Sequence, residues 1–304
     1  MNSSTVPGNH TANIELLNRA LSGKHNATVS LLRLDKIHPV VSGNKIFKLH
    51  YFLEEALHSV HKQVVTFGGA YSNHLAATAF ACKMNGLRSV GIVRGEEPEP
   101  LSHTLLFCLE NGMELEFISR SSYKKIDDTE FLSSLLNKYG GHTLVPEGGF
   151  SQRGVEGAKL IAGYFNPGKF THICCAVGTA TTFAGLIMGS ECEAELTGFS
   201  VLKNMDDIDS RLKILNVGFE KKYYWNGSYH FGGYAKKTTE LINFMNNFYN
   251  HTKIPLDFVY TGKMMFGVYD LINKNYFPGG SDILCIHTGG LQGNRSLSPG
   301  TLIF

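Results

Sequence analysis

Short apolar runs that end at or near glycine alternate along this chain with segments of helical periodicity. The predicted strands are residues 64–67, 89–93, 114–119, 142–145, 172–177, 195–200 and 282–287. The predicted helices are residues 73–85, 101–111, 129–139, 152–164, 182–188, 238–250 and 264–273. Short apolar strands that alternate with helices are typical of α/β proteins with largely parallel, twisted sheets. The sequence therefore predicts that fold class.

The chain has 304 residues, which is more than one hydrophobic core usually organises. We therefore predict two domains: a smaller α/β domain at residues 51–160 and a larger one at 1–50 plus 161–304. Twenty-eight Lys and Arg residues against 26 Asp and Glu residues give a formal net charge of +2, and the charges are scattered. That even balance argues against nucleic acid and an anionic membrane surface as partners.

Residues 171–190 carry no charged side chain over a length that could span a membrane. Gly178, Ala180 and three threonines divide this run into a strand-like half and a helix-like half. We therefore predict a buried strand, a turn and a helix start, and no membrane segment.

The cysteines and the first residues bear on the compartment. Six cysteines show no C-x-x-C spacing, and the start of the chain lacks the basic and apolar regions of a secretory signal. We therefore expect no disulfide framework and no zinc ribbon, and we predict a cytoplasmic protein. Thirteen histidines form no group with ligand spacing, so no metal site is expected.

Three glycine-marked turns, at residues 68–73, 178–182 and 287–290, follow predicted strands at the edge where α/β sheets bind ligands. In the middle turn, threonine hydroxyls and backbone N–H groups precede a helix and suit a phosphate dianion. An ordinary connection with a threonine N-cap explains the same residues equally well. The chain has no G-x-G-x-x-G, P-loop, G-x-S-x-G or H-E-x-x-H motif, so nucleotide-binding, serine-hydrolase and zinc-protease classes lose support.

Lys45 follows Gly43 and Asn44 at the start of an amphipathic helix. It could lie in solvent, where a cation at a helix N-terminus costs only about 0.3 kcal/mol. It could instead point inward, where desolvation and the helix dipole lower its pKa and prepare the amine to form a Schiff base. Lys48 is the nearest competitor for that role.

Five motifs carry a resemblance to one family. They are Gly43-Asn44-Lys45-x-x-Lys48-Leu49, Gly68-Gly69-x-x-Ser72-Asn73-His74, Val177-Gly178-Thr179, Tyr260-Thr261-Gly262-Lys263 and His287-Thr288-Gly289-Gly290. In this order, over about residues 30–295, they resemble the 1-aminocyclopropane-1-carboxylate (ACC) deaminase / D-cysteine desulfhydrase family. The resemblance implies pyridoxal 5′-phosphate (PLP) as cofactor, the tryptophan synthase β-like fold (PLP fold type II) with PLP in the larger domain, and a homodimer.

The resemblance also implies a role for each matching residue. Lys45 would bind PLP as a Schiff base and move the Cα proton, and Ser72 would face the carboxylate of a small amino-acid substrate. Asn73 would hydrogen-bond the phenolic oxygen of PLP, while Tyr234 and Tyr260 would line the substrate pocket. The phosphate would be cradled by Gly178, Thr179, Ala180, Thr181 and Thr182, and the pyridine nitrogen would be met by Thr261 and Thr288.

Thr261 separates two branches of this family, because ACC deaminases proper carry a glutamate there. A hydroxyl holds a proton on the ring nitrogen less firmly than a carboxylate, which favours prompt expulsion of a β-substituent. His74 likewise replaces a glutamine of the ACC deaminases. We therefore expect α,β-elimination from D-cysteine or a related β-substituted amino acid, giving an α-keto acid and ammonia. ACC deamination is one alternative, and a catalytically silent binding protein with the PLP fold is an alternative of another class.

Overall fold

The structure, a computed structural model, describes residues 13–17, 27–41, 43–190, 193–218 and 222–304. Its strands are β1 (Ile14–Leu16), β2 (Thr28–Arg33), β3 (Gln63–Gly69), β4 (Arg88–Arg94), β5 (Met113–Ile118), β6 (Thr143–Val145), β7 (His172–Val177), β8 (Glu195–Ser200), β9 (Tyr223–Asn226) and β10 (Asp282–His287). Its α-helices are α1 (Asn44–His58), α2 (Asn73–Met84), α3 (His103–Glu110), α4 (Arg120–Tyr123), α5 (Thr129–Leu136), α6 (Gln152–Lys159), α7 (Thr181–Gly189), α8 (Ile208–Ile214), α9 (Thr239–Thr252) and α10 (Thr261–Asn273). Cys192, and residues 1–12 and 18–26 of the predicted larger domain, lie outside the described residues.

The strands form two sheets. The larger sheet has the order β1-β2-β10-β7-β8-β9, with β1 antiparallel to β2 and the other neighbours parallel. The smaller sheet has the order β5-β4-β3-β6 and is parallel throughout. The predicted α/β fold with largely parallel sheets is confirmed.

The domain limits stay a prediction. All four strands of the smaller sheet lie within residues 51–160, and β1 and β2 join the larger sheet. The predicted limit after residue 50 falls inside α1, which begins at Asn44 and ends at His58.

Strand β7 explains why residues 171–190 lack charge. All six of its residues are buried, and its side chains alternate between two cores. Cys175 packs in the core that contains α7 residues such as Phe183, and Cys174 packs in the core that contains α10 residues such as Met264. The uncharged run therefore lies in the protein interior, with a core on each side of the sheet. No described helix is long and apolar enough to cross a membrane.

The predicted elements are present, with shifted ends. The predicted helix 152–164 is α6 followed by a 3₁₀ turn at Leu160–Tyr164, the tighter geometry that is common at helix termini. Helix α3 begins two residues later than predicted, because the Ser102 hydroxyl accepts the N–H of Leu105 and caps it. The sequence prediction missed β2, which passes directly into a 3₁₀ turn (Leu34–Lys36) with no glycine to mark its end.

The turn before α1 is held against the end of β10 by a close backbone approach at Gly43. Its backbone has φ 71° and ψ −148°, a region that is essentially open to glycine alone. A Cβ at this position would lie 1.9 Å from the carbonyl oxygen of Thr288. Both the conformation and the space at Gly43 therefore exclude a side chain.

We predict that Gly43→Ala lowers the free energy of unfolding by about 3 kcal/mol or more, because it combines backbone strain with a collision against rigid backbone. Gly86→Ala is the matched control: Gly86 also has a positive φ, 66°, but a Cβ there meets nothing within 4 Å. It should cost only about 1 kcal/mol. Urea unfolding of both variants measures the difference, and equal losses would contradict a close approach at Gly43.

Candidate active site

Two of the three glycine-marked turns lie side by side. Strands β7 and β10 are parallel neighbours, so the turns that follow them, at residues 178–180 and 288–290, leave the same edge of the sheet. The third turn belongs to the smaller sheet and reaches them through Asn73, whose Nδ2 donates to the carbonyl oxygen of Gly290 at 3.4 Å. The structure therefore brings all three turns together, two from the edge of the larger sheet and one from the smaller sheet.

Asn44 lies in the turn that carries Lys45. It connects this turn to residues 178–182, which we call the threonine turn, and to the turn at residues 287–290. Its backbone N–H donates to the carbonyl oxygen of Thr288 at 3.1 Å. Its side-chain Nδ2 donates to Thr182 Oγ1 at 2.7 Å. Its Oδ1 accepts from Lys45 Nζ, also at 2.7 Å. Sequence reasoning gave Asn44 no role, although its place directly before the candidate lysine was visible.

The amine of Lys45 lies inside the site. Its Nζ is 5.8 Å from the centre of the Tyr260 ring. Desolvation by the surrounding protein lowers the pKa of Lys45 to about 8, and the charge of Asp257 opposes this only in part. At pH 8 about half of the Lys45 amines are neutral, compared with about 0.3 % for a lysine in water. The inward interpretation of Lys45 is thus the one that the structure supports.

Lys48 lies one helical turn after Lys45, and its side chain is buried. Its Nζ donates to the carbonyl oxygen of Gly148 at 2.5 Å. Burial, followed by the positive charge of Lys45, places the pKa of Lys48 well below its ordinary value. Gly148 in turn lies against Thr179, since a Cβ on Gly148 would be 2.8 Å from Thr179 Cγ2. Sequence analysis named Lys48 only as a competitor for the Schiff base. In the structure Lys48 is bonded to Gly148, which lies against Thr179 of the threonine turn.

The threonine turn leads into the N-terminus of α7, which begins at Thr181. Ala180 has a left-handed backbone, φ 71°, and its carbonyl oxygen accepts the N–H of Ala184. The N–H groups of the first turn of a helix precede any intrahelical acceptor and therefore point outward. Thr179 Oγ1 and Thr181 Oγ1 are 3.1 Å apart. A Cβ on Gly178 would lie 3.2 Å from the Tyr260 ring, so this glycine permits a close contact.

Ser72 and His74 fix the start of α2. Ser72 Oγ accepts the N–H groups of His74 and Leu75 at 3.2 and 3.3 Å and so caps the helix. His74 Nε2 lies 2.9 Å from Thr66 Oγ1, whose single proton is donated to the carbonyl oxygen of Val145. The imidazole must therefore donate from Nε2. Burial, together with the charges of Lys48 and Lys45, places the pKa of His74 well below its usual value, which keeps the ring neutral.

Tyr234 and Tyr260 form an edge-to-face pair with ring centres 6.2 Å apart at 74°. Tyr260 is half-buried, whereas Tyr234 is 45 % exposed. Desolvation raises the pKa of both phenols, most strongly for Tyr260. Both rings are therefore neutral phenols near neutral pH.

Asp257 is a buried carboxylate that sequence reasoning missed. Its oxygens accept the backbone N–H groups of Val259, Tyr260 and Thr261 at 2.8–2.9 Å, which explains why α10 begins at Thr261. The Thr261 hydroxyl donates to Asp257 Oδ1 at 2.6 Å and accepts the Asp257 N–H at 2.8 Å. The N-cap residue of α10 is Tyr260, three residues after Asp257, so no capping pattern in the sequence marked this aspartate. Thr288, the second threonine that the resemblance places at the pyridine nitrogen, is also buried.

A cavity of about 270 Å³ adjoins the amine. Lys45, Asn73 and Gly290 line one part of its wall, and His103 and Gln292 line another. Three buried polar atoms of this wall, Asn73 Oδ1, His103 Nε2 and Gln292 Nε2, have no hydrogen-bond partner in the described part of the chain. Unpaired buried polar groups are costly, so this cavity suits a polar ligand.

Comparison with known families agrees with this arrangement. The model of the family described as "Pyridoxal-phosphate dependent enzyme" matches residues 14–289. This chain belongs to that family. Its cofactor is therefore PLP, as the sequence resemblance implied, and the chain is a PLP-dependent enzyme.

Relatives of this PLP-dependent enzyme carry the names that the sequence resemblance suggested. A putative ACC deaminase of Thermotoga maritima is 32% identical over 298 residues, covering 92% of this chain and 94% of the relative. A mitochondrial bifunctional D-cysteine desulfhydrase/ACC deaminase of Arabidopsis thaliana is 32% identical over 302 residues, covering 90% of this chain and 75% of the relative. The resemblance to this group is confirmed.

Solved structures show the same fold around this PLP-dependent enzyme's site. The crystal structure of an ACC deaminase homologue superposes with a TM-score of 0.81 at 30% identity, covering 95% of this chain and 92% of that one. An O-acetylserine-dependent cystathionine β-synthase from Helicobacter pylori has a TM-score of 0.70 at 11% identity and covers 98% of each chain. At that identity it shows the fold alone, which is that of PLP fold type II.

We predict that the Lys45 amine titrates near pH 8, because burial disfavours its charged form. Brief acylation of the cofactor-free protein across a pH series, followed by peptide mass spectrometry, measures its reactive fraction. The modification rate of Lys45 should rise through pH 8, where the neutral amine becomes abundant. The exposed Lys62 reports the reaction of a solvated lysine in the same samples. A Lys45 midpoint at pH 10 or above would show that the amine is hydrated.

Proposed function

We propose that this enzyme is a PLP-dependent lyase or deaminase that catalyses α,β-elimination from D-cysteine or a related β-substituted small amino acid. The products would be an α-keto acid and ammonia, with sulfide from D-cysteine. The proposal rests on the Lys45 amine, which is desolvated and lies near the Tyr260 ring. The same site contains Thr261, the first residue of α10. That threonine occupies the position at which the resemblance sets D-cysteine desulfhydrases apart from ACC deaminases.

The residues present fit PLP. The N-terminus of α7, with Thr179, Thr181 and Thr182, offers N–H and hydroxyl groups to a phosphate dianion. The Lys48 amine donates to Gly148 at the edge of this turn. A bound phosphate dianion would raise the lowered pKa of Lys48 and so favour the protonated form, which offsets part of the phosphate charge. Asn73 has an unpaired buried Oδ1 and a long 3.4 Å bond from Nδ2, which leaves its amide available for the phenolic oxygen.

When bound, PLP supplies an aldehyde that condenses with amines and a ring that withdraws electrons from the substrate Cα. Lys45 would hold the cofactor and then move the Cα proton, for which its pKa of about 8 is suitable because a general base works best near the operating pH. Ser72, already ordered as the cap of α2, would face the substrate carboxylate. Tyr234 and Tyr260, as neutral phenols, would line the pocket and can donate a proton but not remove one.

Thr261 and Thr288 would meet the ring nitrogen. Because the Thr261 hydroxyl proton is donated to Asp257, the remaining lone pair of that oxygen can only accept a hydrogen bond. It would therefore favour a protonated ring nitrogen more than a free hydroxyl does. The carboxylate acts here through a threonine, rather than in direct contact as the glutamate of ACC deaminases would.

Two alternatives and two further predictions remain. ACC deamination is favoured by the names of the relatives, several of which are called putative ACC deaminases. A catalytically silent PLP protein is disfavoured because Lys45, Ser72 and both tyrosines are retained.

A homodimer and a cytoplasmic location stay predictions: the first comes from the family resemblance and the second from the sequence.

We predict that borohydride reduction of the PLP-loaded enzyme attaches the pyridoxyl group to Lys45, since that amine is the one beside Tyr260 and Asn44. Peptide mass spectrometry locates the adduct. Lys45→Ala should lose the covalently held chromophore, while Lys125→Ala, which removes an exposed lysine, should keep it. An adduct on Lys48 in the unaltered enzyme would defeat the assignment.

We further predict that the enzyme turns over D-cysteine faster than ACC, because Thr261 replaces the glutamate of ACC deaminases. Parallel assays of α-keto acid and ammonia release, with D-cysteine, L-cysteine and ACC, measure this preference. Lys45→Ala should lower kcat by about 10²–10⁴-fold or more, the usual contribution of a positioned acid–base group. Turnover of ACC alone would assign the enzyme to the other branch, and a PLP-loaded protein inert toward all three would support the silent alternative.

A further inference from the structure

The first residues of helix α10 belong to the site. The residues that follow them in the helix contact a neighbouring loop and hold it in place. Tyr260 and Thr261 lie at its N-terminal end. Lys263, Phe266, Gly267 and Asp270 follow at helical spacing, so they share one face of the helix. That face carries residues 227–237, which we call the Tyr234 loop.

Aromatic packing and one hydrogen bond attach the Tyr234 loop to the outer part of this face. The rings of Phe231 and Phe266 meet edge to face with centres 4.9 Å apart. Tyr229 donates from its hydroxyl to Asp270 Oδ2 at 2.6 Å. A Cβ on Gly267 would lie 2.8 Å from the Tyr229 ring, so the glycine allows the loop to approach closely. These contacts hold the first half of the loop.

Lys263 holds the second half. Its side chain is fully buried, and its Nζ donates to the carbonyl oxygens of His230 at 2.9 Å and Gly233 at 2.7 Å. In the described part of the chain no carboxylate forms an ion pair with it. Burial lowers the pKa of Lys263 to about 8 and the charge of Asp257 opposes this, so the side chain is still mostly an ammonium at neutral pH. A buried cation is costly unless its donors are used, and here the acceptors are two loop carbonyls.

The backbone of this segment needs such support. Phe231, Gly232, Gly233 and Ala235 all have positive φ, and two of the four are not glycine. Left-handed conformations at such residues persist only where surrounding contacts impose them. Tyr234 lies inside this strained run, between a residue whose carbonyl is held by Lys263 and a left-handed alanine. The direction of the Tyr234 side chain therefore depends on the conformation that the ammonium stabilises.

We propose that Lys263 is a positioning residue: it orders the Tyr234 loop so that Tyr234 stands against Tyr260 at the substrate pocket. Lys263 itself binds neither PLP nor substrate. The substrate part of this inference rests on the proposed function, in which Tyr234 lines the pocket. The ordering part rests on the described contacts alone.

The test compares Lys263→Met with Lys213→Met in the PLP-loaded enzyme, since Lys213 is an exposed lysine on α8. Trypsin reports loop order directly, because the exposed Lys236 and Lys237 follow Tyr234. Under native conditions, cleavage after these two lysines should be at least about 10-fold faster in Lys263→Met, because the released loop opens locally. PLP content and the visible spectrum should match those of Lys213→Met.

With a turned-over substrate, Lys263→Met should raise KM about 10-fold and change kcat less than about 3-fold, the signature of lost binding rather than lost chemistry. Cleavage at the control rate would overturn the ordering role. Loss of PLP or of kcat with an intact loop would place Lys263 in the catalytic machinery and overturn the proposal as well. If no amino acid is turned over, the proposed function fails while proteolysis still decides the ordering role.

Chemical rescue keeps the inference testable if the methionine variant is unstable. Lys263→Ala leaves space beside the two carbonyl oxygens, and methylammonium can donate N–H groups to them. Added methylammonium should slow tryptic cleavage of the loop in Lys263→Ala several-fold, and tetramethylammonium, which has no N–H group, should not. Equal behaviour of the two cations would show that hydrogen bonds to His230 and Gly233 do not order the loop.

Discussion

The close approach of the Gly43–Asn44 turn to the end of β10 is the constraint on which the site depends. It requires a residue without a side chain at Gly43, because a Cβ would meet the Thr288 carbonyl. Once that contact is made, Asn44 can bond to Thr288 and to Thr182. The first turn of α1 then directs Lys45 at Tyr260. One glycine and one amide thus bring the amine, the threonine turn and the glycine turn after β10 together.

The electrostatics of the site suit an anionic ligand with a reactive aldehyde. Two amines, those of the half-buried Lys45 and the buried Lys48, lie one helical turn apart, and desolvation lowers the pKa of both. The buried carboxylate of Asp257 opposes this at Lys45, but the same carboxylate is already engaged by three backbone N–H groups and a hydroxyl. A phosphate dianion at the nearby threonine turn would supply negative charge where the protein provides little. A PLP-dependent enzyme needs this combination of a nucleophilic amine that is about half neutral at pH 8 and an anion site.

Helix α10 couples this chemistry to the pocket. Asp257 sets where the helix begins and accepts a hydrogen bond from the Thr261 hydroxyl, while Lys263 and Phe266 hold the segment that carries Tyr234. In the proposed site, one helix therefore positions both the threonine assigned to the cofactor ring and the tyrosine assigned to the substrate pocket. A preorganised site of this kind loses little free energy to rearrangement when its ligands bind.

The sequence by itself determined the α/β class, the order of the elements and the identity of the candidate lysine, because alternation, glycine-marked turns and the order of five motifs are local properties of the chain. It also located the threonine turn, although it could not distinguish a phosphate site from an ordinary helix cap. Only the tertiary structure decided that Lys45 points inward, that Lys48 bonds to Gly148 next to the threonine turn, and that Asp257 accepts a hydrogen bond from the Thr261 hydroxyl. Each of these depends on burial or on contacts made in space: Lys48 meets a carbonyl 100 residues away, and desolvation is a property of the packed protein rather than of any stretch of sequence.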